Sequence, residues 1–253
     1  MASTTRPTAF VSGASYGVGA ATALALARAG YDVAISATRA QNLSETVTAL
    51  DAFGVRVLPL ILDLGSRTSI ERAMHEIVAA FGGLDLLVNN AGSNLRARAI
   101  DVTPAQWDEM MSVNVTGTFH LTQQLGRHLI EQRRSGAVVM IASTYALIGA
   151  PERSTYGIVK AAQVQMTRML AVEWAEHGIR VNAIAPGRME TASPSRGGTG
   201  ADPNYMKAML ERIPLHRLCT PEEVAAAVVY LASPQAASIT GHVLVLDGGL
   251  TVV

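Results

Sequence analysis

Seven short runs rich in Val, Ile and Leu recur along this chain, with longer segments of helical spacing between them. The runs are residues 8–12, 32–36, 55–62, 84–89, 137–143, 180–185 and 242–246. They are apolar at successive positions rather than at alternate ones. That is what a strand needs when both faces of its sheet are covered, so the runs predict a buried parallel sheet. Two of the intervening segments open on strong helix starts, Thr103-Pro104-Ala105-Gln106 and Thr220-Pro221-Glu222-Glu223. Each offers a threonine cap, proline at the first helical position, and an amide or acid three residues beyond the cap. Thr68 with Glu71 is a weaker version of the same box. Strand–helix alternation from end to end predicts the α/β class, as a single Rossmann-type doubly wound domain over residues 1–253. There is no composition break, internal repeat or low-complexity tract to mark a second one.

Charge and cysteine content exclude several functions. Twenty basic and 20 acidic side chains leave no formal net charge, so neither nucleic acid nor an anionic membrane is an expected partner. One cysteine, Cys219, allows no disulfide framework and no cysteine-built zinc site. The six histidines lack the spacing of metal ligands; His75, His120, His128 and His177 read as structural, and no metal is expected. No signal peptide or bilayer-spanning run is visible, so the expected location is the cytoplasm.

The first run leads straight into Ser12-Gly13-Ala14-Ser15-Tyr16-Gly17-Val18-Gly19, and a helix of small residues is expected over 20–29. Glycines let a backbone approach a pyrophosphate without a Cβ in the way, and a following helix N-terminus presents free N–H groups. The same turn could also serve packing alone. After the second run, where an acidic residue would favour NAD, the chain reads Ala37-Thr38-Arg39; Asp32 stands at the other end of that run. Arg39, with the hydroxyls of Ser15 and Thr38, suits a 2′-phosphate, which predicts NADP(H) over NAD(H). Arg39 also fits a solvated helix start.

Tyr156 and Lys160 are four residues apart and share a helix face. The chain has only two lysines, Lys160 and Lys207. A neighbouring ammonium stabilises a phenolate, so Tyr156 could act as a general acid towards a carbonyl or a base towards an alcohol. Alone, this spacing is also that of an ordinary helix face.

Taken in order, Gly13-x3-Gly17-x-Gly19, Asn89-Asn90-Ala91-Gly92, Asn114, Ser143, Tyr156-x3-Lys160, Pro186-Gly187 and Asp247-Gly248-Gly249 resemble the short-chain dehydrogenase/reductase family. The likeness covers nearly the whole chain, in the subclass of about 250 residues, and is to 3-oxoacyl-[acyl-carrier-protein] reductase-like and related ketone and alcohol oxidoreductases. It implies a seven-stranded parallel sheet and an enzyme acting on CH–OH or C=O groups with NAD(P). By the same resemblance Asn114, Ser143, Tyr156 and Lys160 are catalytic, with Asn114 holding a relay water. Gly13, Ser15, Tyr16, Gly17, Val18 and Gly19 match the pyrophosphate turn. Asp63, followed by Leu64, matches the adenine contact, and Asn90, Ala91 and Gly92 the ribose segment. Tyr156, Lys160, Pro186, Gly187, Met189 and Thr191 match the nicotinamide side.

Asn94, Leu95, Arg96, Tyr145 and Arg153 are expected around the substrate, beneath a lid over residues 190–213 whose Gly-, Ser- and Pro-rich part, residues 192–203, suits no regular element. Arg96, Arg153, Arg188 and Arg196 fit either an anionic substrate or the plain surface of a lysine-poor protein. A neutral ketone, a sugar ketone and a 3-oxoacyl thioester all stay open as the small-molecule carbonyl or alcohol substrate. The resemblance also implies a homo-oligomer, commonly a tetramer, with which the apolar tail Leu250-Thr251-Val252-Val253 agrees. The alternatives are an NAD-dependent alcohol dehydrogenase of the same family and a nucleotide-sensing module that does not turn over.

Overall fold

The computed structural model describes residues 6–189 and 203–253. All seven apolar runs are strands: β1 (Thr8–Val11), β2 (Asp32–Ala37), β3 (Val57–Ile61), β4 (Leu86–Asn89), β5 (Gly136–Ile141), β6 (Ile179–Pro186) and β7 (Val243–Leu246). They form one parallel sheet in the order β3-β2-β1-β4-β5-β6-β7. The helices are α1 (Gly17–Arg28), α2 (Ser44–Leu50), α3 (Arg67–Phe81), α4 (Pro104–Met111), α5 (Thr118–Glu131), α6 (Ser154–Trp174), α7 (Pro203–Arg212) and α8 (Pro221–Ala232). Among the described residues, no helix is long and apolar enough to cross a membrane.

Both faces of the sheet are buried, which is why the strands read as unbroken apolar runs. Phe10, Leu87, Val138 and Met140 pack one way, against Ile70 and Ile77 of α3 and Leu121 and Leu125 of α5. Their neighbours Val11, Val88, Val139 and Ile141 pack the other way, against Ala23 and Leu26 of α1 and Val224 and Val228 of α8. Successive side chains of a strand point to opposite faces, so each strand needs apolar residues at nearly every position.

Local signals set the helix ends. Thr103 and Thr220 make the complete capping boxes expected of them, with Gln106 and Glu223 as partners. The Thr68–Glu71 box does not form. α3 starts earlier, capped by Ser66, whose side chain accepts from the Ser69 N–H. The turn before it is already fixed by Asp63 Oδ1, which accepts from the Gly65 N–H at 2.8 Å. Glu71 pairs instead with Arg67. α1 likewise begins at Gly17, earlier than expected.

The expected lid needs correction in its second half. Residues 203–212 are the helix α7 rather than loop; the run Met206-Lys207-Ala208-Met209-Leu210-Glu211-Arg212 is made of strong helix formers. Ile213, fully buried, follows it, and the Leu215 N–H donates to the Gly248 carbonyl, so α7 is anchored on the Asp247-Gly248-Gly249 turn. Residues 190–202, including Thr191 and Arg196, lie outside the described residues.

Candidate active site

The strand order reverses between β1 and β4, and the loops leaving their carboxyl ends diverge there. A crevice of this kind is where open α/β sheets hold ligands. Ser12 at the end of β1 ties its two walls together. Its hydroxyl accepts from the N–H groups of Asn90 and Ala91, both at 3.1 Å, and donates to the Val88 carbonyl. Asn90 returns the contact: its Nδ2 donates to the carbonyls of Ser12 and Gly13. The Asn90 side chain therefore shapes the glycine turn.

Gly13 has φ +69°, and a Cβ there would meet Ala91 Cα at 2.8 Å. Both the backbone conformation and the close approach exclude a side chain. The turn leads into α1, where Tyr16 at the N-cap makes no side-chain capping bond and the first turn holds no acid. α3, α4 and α8 start on hydroxyl caps, whereas α1 and α6 do not. A helix start left uncapped beneath a glycine cradle fits an anionic phosphate. A dinucleotide fits a crevice of this kind, and Gly13, Ser15, Tyr16, Gly17, Val18 and Gly19 are the residues that could hold its pyrophosphate.

At the end of β2, Thr38 and Arg39 are exposed. Asp32 is at the opposite end, where its carboxylate accepts from the backbone N–H and Nε of Arg56. Asp63, Leu64 and the segment Asn90-Ala91-Gly92 follow β3 and β4 on the crevice side. Pro186 ends β6, the Gly187 N–H donates to Leu246, and Met189 bridges to Cys219.

Beyond β5 the chemistry-bearing groups converge. Ser143 caps a short turn, accepting from the Tyr145 N–H at 3.2 Å. Tyr156 meets Tyr145 edge-on, with ring centroids 6.2 Å apart. Lys160 Nζ lies 5.8 Å from the Tyr156 ring centroid. It donates to the Ile141 carbonyl at 2.7 Å and to Gln163 Oε1 at 2.9 Å. Asn114 sits in a widened, π-helical turn (Ser112–Gly117) between α4 and α5. Its Nδ2 donates to the Met110 carbonyl, and its Oδ1 is buried with no hydrogen-bond partner among the described residues. Gly92 faces that oxygen: a Cβ there would stand 2.5 Å from it.

The expected substrate residues split. Arg153 stacks on the Tyr145 ring at 5.6 Å and donates to Asn94 Oδ1 at 3.1 Å, so Asn94, Tyr145 and Arg153 form one wall next to Tyr156. Arg96 is drawn instead to Glu152, at 2.6 Å, and its charge is compensated there. Sequence reasoning missed Gln163. Its signal was available, since position 163 falls on the same helical face as Lys160, but only the fold shows what lies opposite.

A family model described as enoyl-(acyl carrier protein) reductase matches residues 13–251. The 3-oxoacyl-[acyl-carrier-protein] reductase of Thermotoga maritima is 35% identical, with 96% of each chain covered. A candidate short-chain alcohol dehydrogenase from Sinorhizobium meliloti superposes with a TM-score of 0.93 at 38% identity, covering 97% of this chain and 96% of its own. A candidate 2-deoxy-D-gluconate 3-dehydrogenase from Agrobacterium tumefaciens, solved with bound NADP, gives 0.89 at 37%, covering 98% and 97%. Fold, crevice and relatives converge, and the chain belongs to the short-chain dehydrogenase/reductase family of oxidoreductases acting on hydroxyl and carbonyl groups.

Proposed function

We propose that this protein is an NADP(H)-dependent oxidoreductase of carbonyls and secondary alcohols in which Tyr156 gives and takes the proton. The observation that carries the reading is the grouping of Ser143, Tyr156 and Lys160 at the carboxyl end of β5, with the lysine ammonium buried and fixed from two sides. The bound nicotinamide supplies or removes the hydride at its C4. The protein's part is orientation and a proton. Because the Ser143 hydroxyl accepts from Tyr145, its own O–H is left to donate to the substrate oxygen. Tyr156 protonates that oxygen in reduction and deprotonates the alcohol in oxidation. The Lys160 charge favours the phenolate form, and so makes the phenol a usable acid near neutrality. Asn94, Tyr145 and Arg153 are the substrate wall of this reading, and Asn114 lies behind it.

NADP over NAD rests on Thr38 and Arg39 at the end of β2, and on Asp32 being held by Arg56 at the other end. The NADP in the Agrobacterium relative supports it. The oligomer, read as a tetramer, is supported by apolar side chains exposed along α6.

The test is Tyr156→Phe, assayed by nicotinamide absorbance over a ketone and alcohol panel. Turnover falls by several orders of magnitude, while NADPH binding measured by fluorescence titration persists. Turnover near the wild-type level rejects the reading.

A further inference from the structure

We propose that Gln163 is a positioning residue of this reaction: its carboxamide ties the Lys160 ammonium to the Asn114 main-chain carbonyl, a side-chain link where a water held by Asn114 is expected. The inference rests on the proposed role of Tyr156. Lys160 Nζ donates to Gln163 Oε1 at 2.9 Å, and Gln163 Nε2 donates to the Asn114 carbonyl at 2.8 Å. Chemistry fixes the orientation of the amide, because an ammonium only donates and a carbonyl only accepts. Lys160 is 5% exposed, Gln163 1% and Asn114 0%. An unmet partner at any of the three would leave a buried polar group unsatisfied, so the bridge is held as a unit.

The identity of the bridge matters for the charge it carries. A carboxylate at this distance would cancel much of the Lys160 field at Tyr156, and an apolar residue would leave Nζ less well placed. A neutral carboxamide fixes the ammonium and leaves its charge undiminished. The bridge also joins α6 to the π-helical turn that carries Asn114. Several groups near Tyr156 bear on its ionisation. Lys160 lies on its own helix, and Tyr145 comes from the turn after β5 with Arg153 stacked on it. The turn after α4 brings the neutral Asn114, while α4 itself exposes Asp108 and Glu109 to solvent.

The experiment reads Tyr156 without any substrate. Tyrosinate difference absorbance is titrated in the full-length protein, and the Tyr156→Phe curve is subtracted to isolate one phenol. In Gln163→Met, of similar length and unable to bridge, the midpoint rises by about half a pH unit or more, roughly a threefold loss in ionisation constant. In Gln163→Glu, which keeps the acceptor and adds a negative charge, it rises as well. Circular dichroism melting identifies folded variants. An unmoved midpoint in folded Gln163→Met overturns the proposal; if that variant does not fold, an unmoved midpoint in Gln163→Glu does so. Turnover by Tyr156→Phe would overturn the functional reading instead, and the two failures are read on different instruments.

Discussion

On the proposed reading cofactor choice turns on Arg39, the cation that follows β2 with no acidic residue next to it in the sequence. A charge-assisted hydrogen bond is worth about 1.5–3 kcal/mol, which corresponds to about tenfold or more in affinity. Arg39→Ala is therefore expected to weaken NADPH by roughly tenfold or more and to leave NADH nearly unchanged, as read by fluorescence titration of both. Equal losses for the two cofactors would place the arginine on the common part of the dinucleotide. The positions of the glycine turn at the end of β1 and of Tyr156 and Lys160 one turn apart on α6 were legible in the sequence because each is a short local pattern set by spacing. Gln163 was not. Nothing near it in the chain says that Asn114, 49 residues away, presents a bare carbonyl to it. The Arg96 pairing was hidden for the same reason, since its partner Glu152 is 56 residues distant.

Elements were legible where one local rule settled them. Burial on both faces wrote the strands, and the Thr-Pro starts wrote α4 and α8. The start of α3 was misread because Ser66, not Thr68, follows a turn already closed by Asp63. The π-helical turn around Asn114 escaped altogether, since no residue pattern in Ser112–Gly117 marks a widened turn. α8 offers a test of the capping argument. Glu223 accepts from Arg217 and from the Thr220 N–H, and these bonds pull its carboxyl down to about 2 from 4.5. A depressed folded-state pKa contributes stability that is present above the unfolded value and lost as pH falls through the folded one. Glu223→Gln should thus lower Tm at pH 7, modestly because the pair is solvent-exposed, and the gap should close as pH falls from about 4.5 to about 2. A gap constant with pH would mean that the carboxylate charge contributes nothing.

At the scale of the molecule, α6 has two faces with different duties. Tyr156, Lys160 and Gln163 point inward, the latter two with Val159, Thr167 and Leu170 among the buried residues. On the opposite face, helical spacing lines up Ile158, Gln165, Met169 and Val172, with Met169 52% and Val172 80% exposed. Beside them runs a groove of about 760 Å³ lined by Phe119, Met166, Met169 and Trp174, among others. An apolar stripe left exposed on a helix asks for cover, and a second copy meeting this face would brace α6 from behind. Burying side chains of the size of Met and Val is worth about 1.5–3 kcal/mol each, and a carboxylate placed there without a partner opposes burial altogether. If the proposed oligomer forms through this face, the double variant Met169→Glu/Val172→Glu shifts it to a smaller species in sedimentation equilibrium, with a fall in activity at low protein concentration. An unchanged sedimentation profile would remove this face from the assembly and leave the exposed tail Val252-Val253 as the surface to test next.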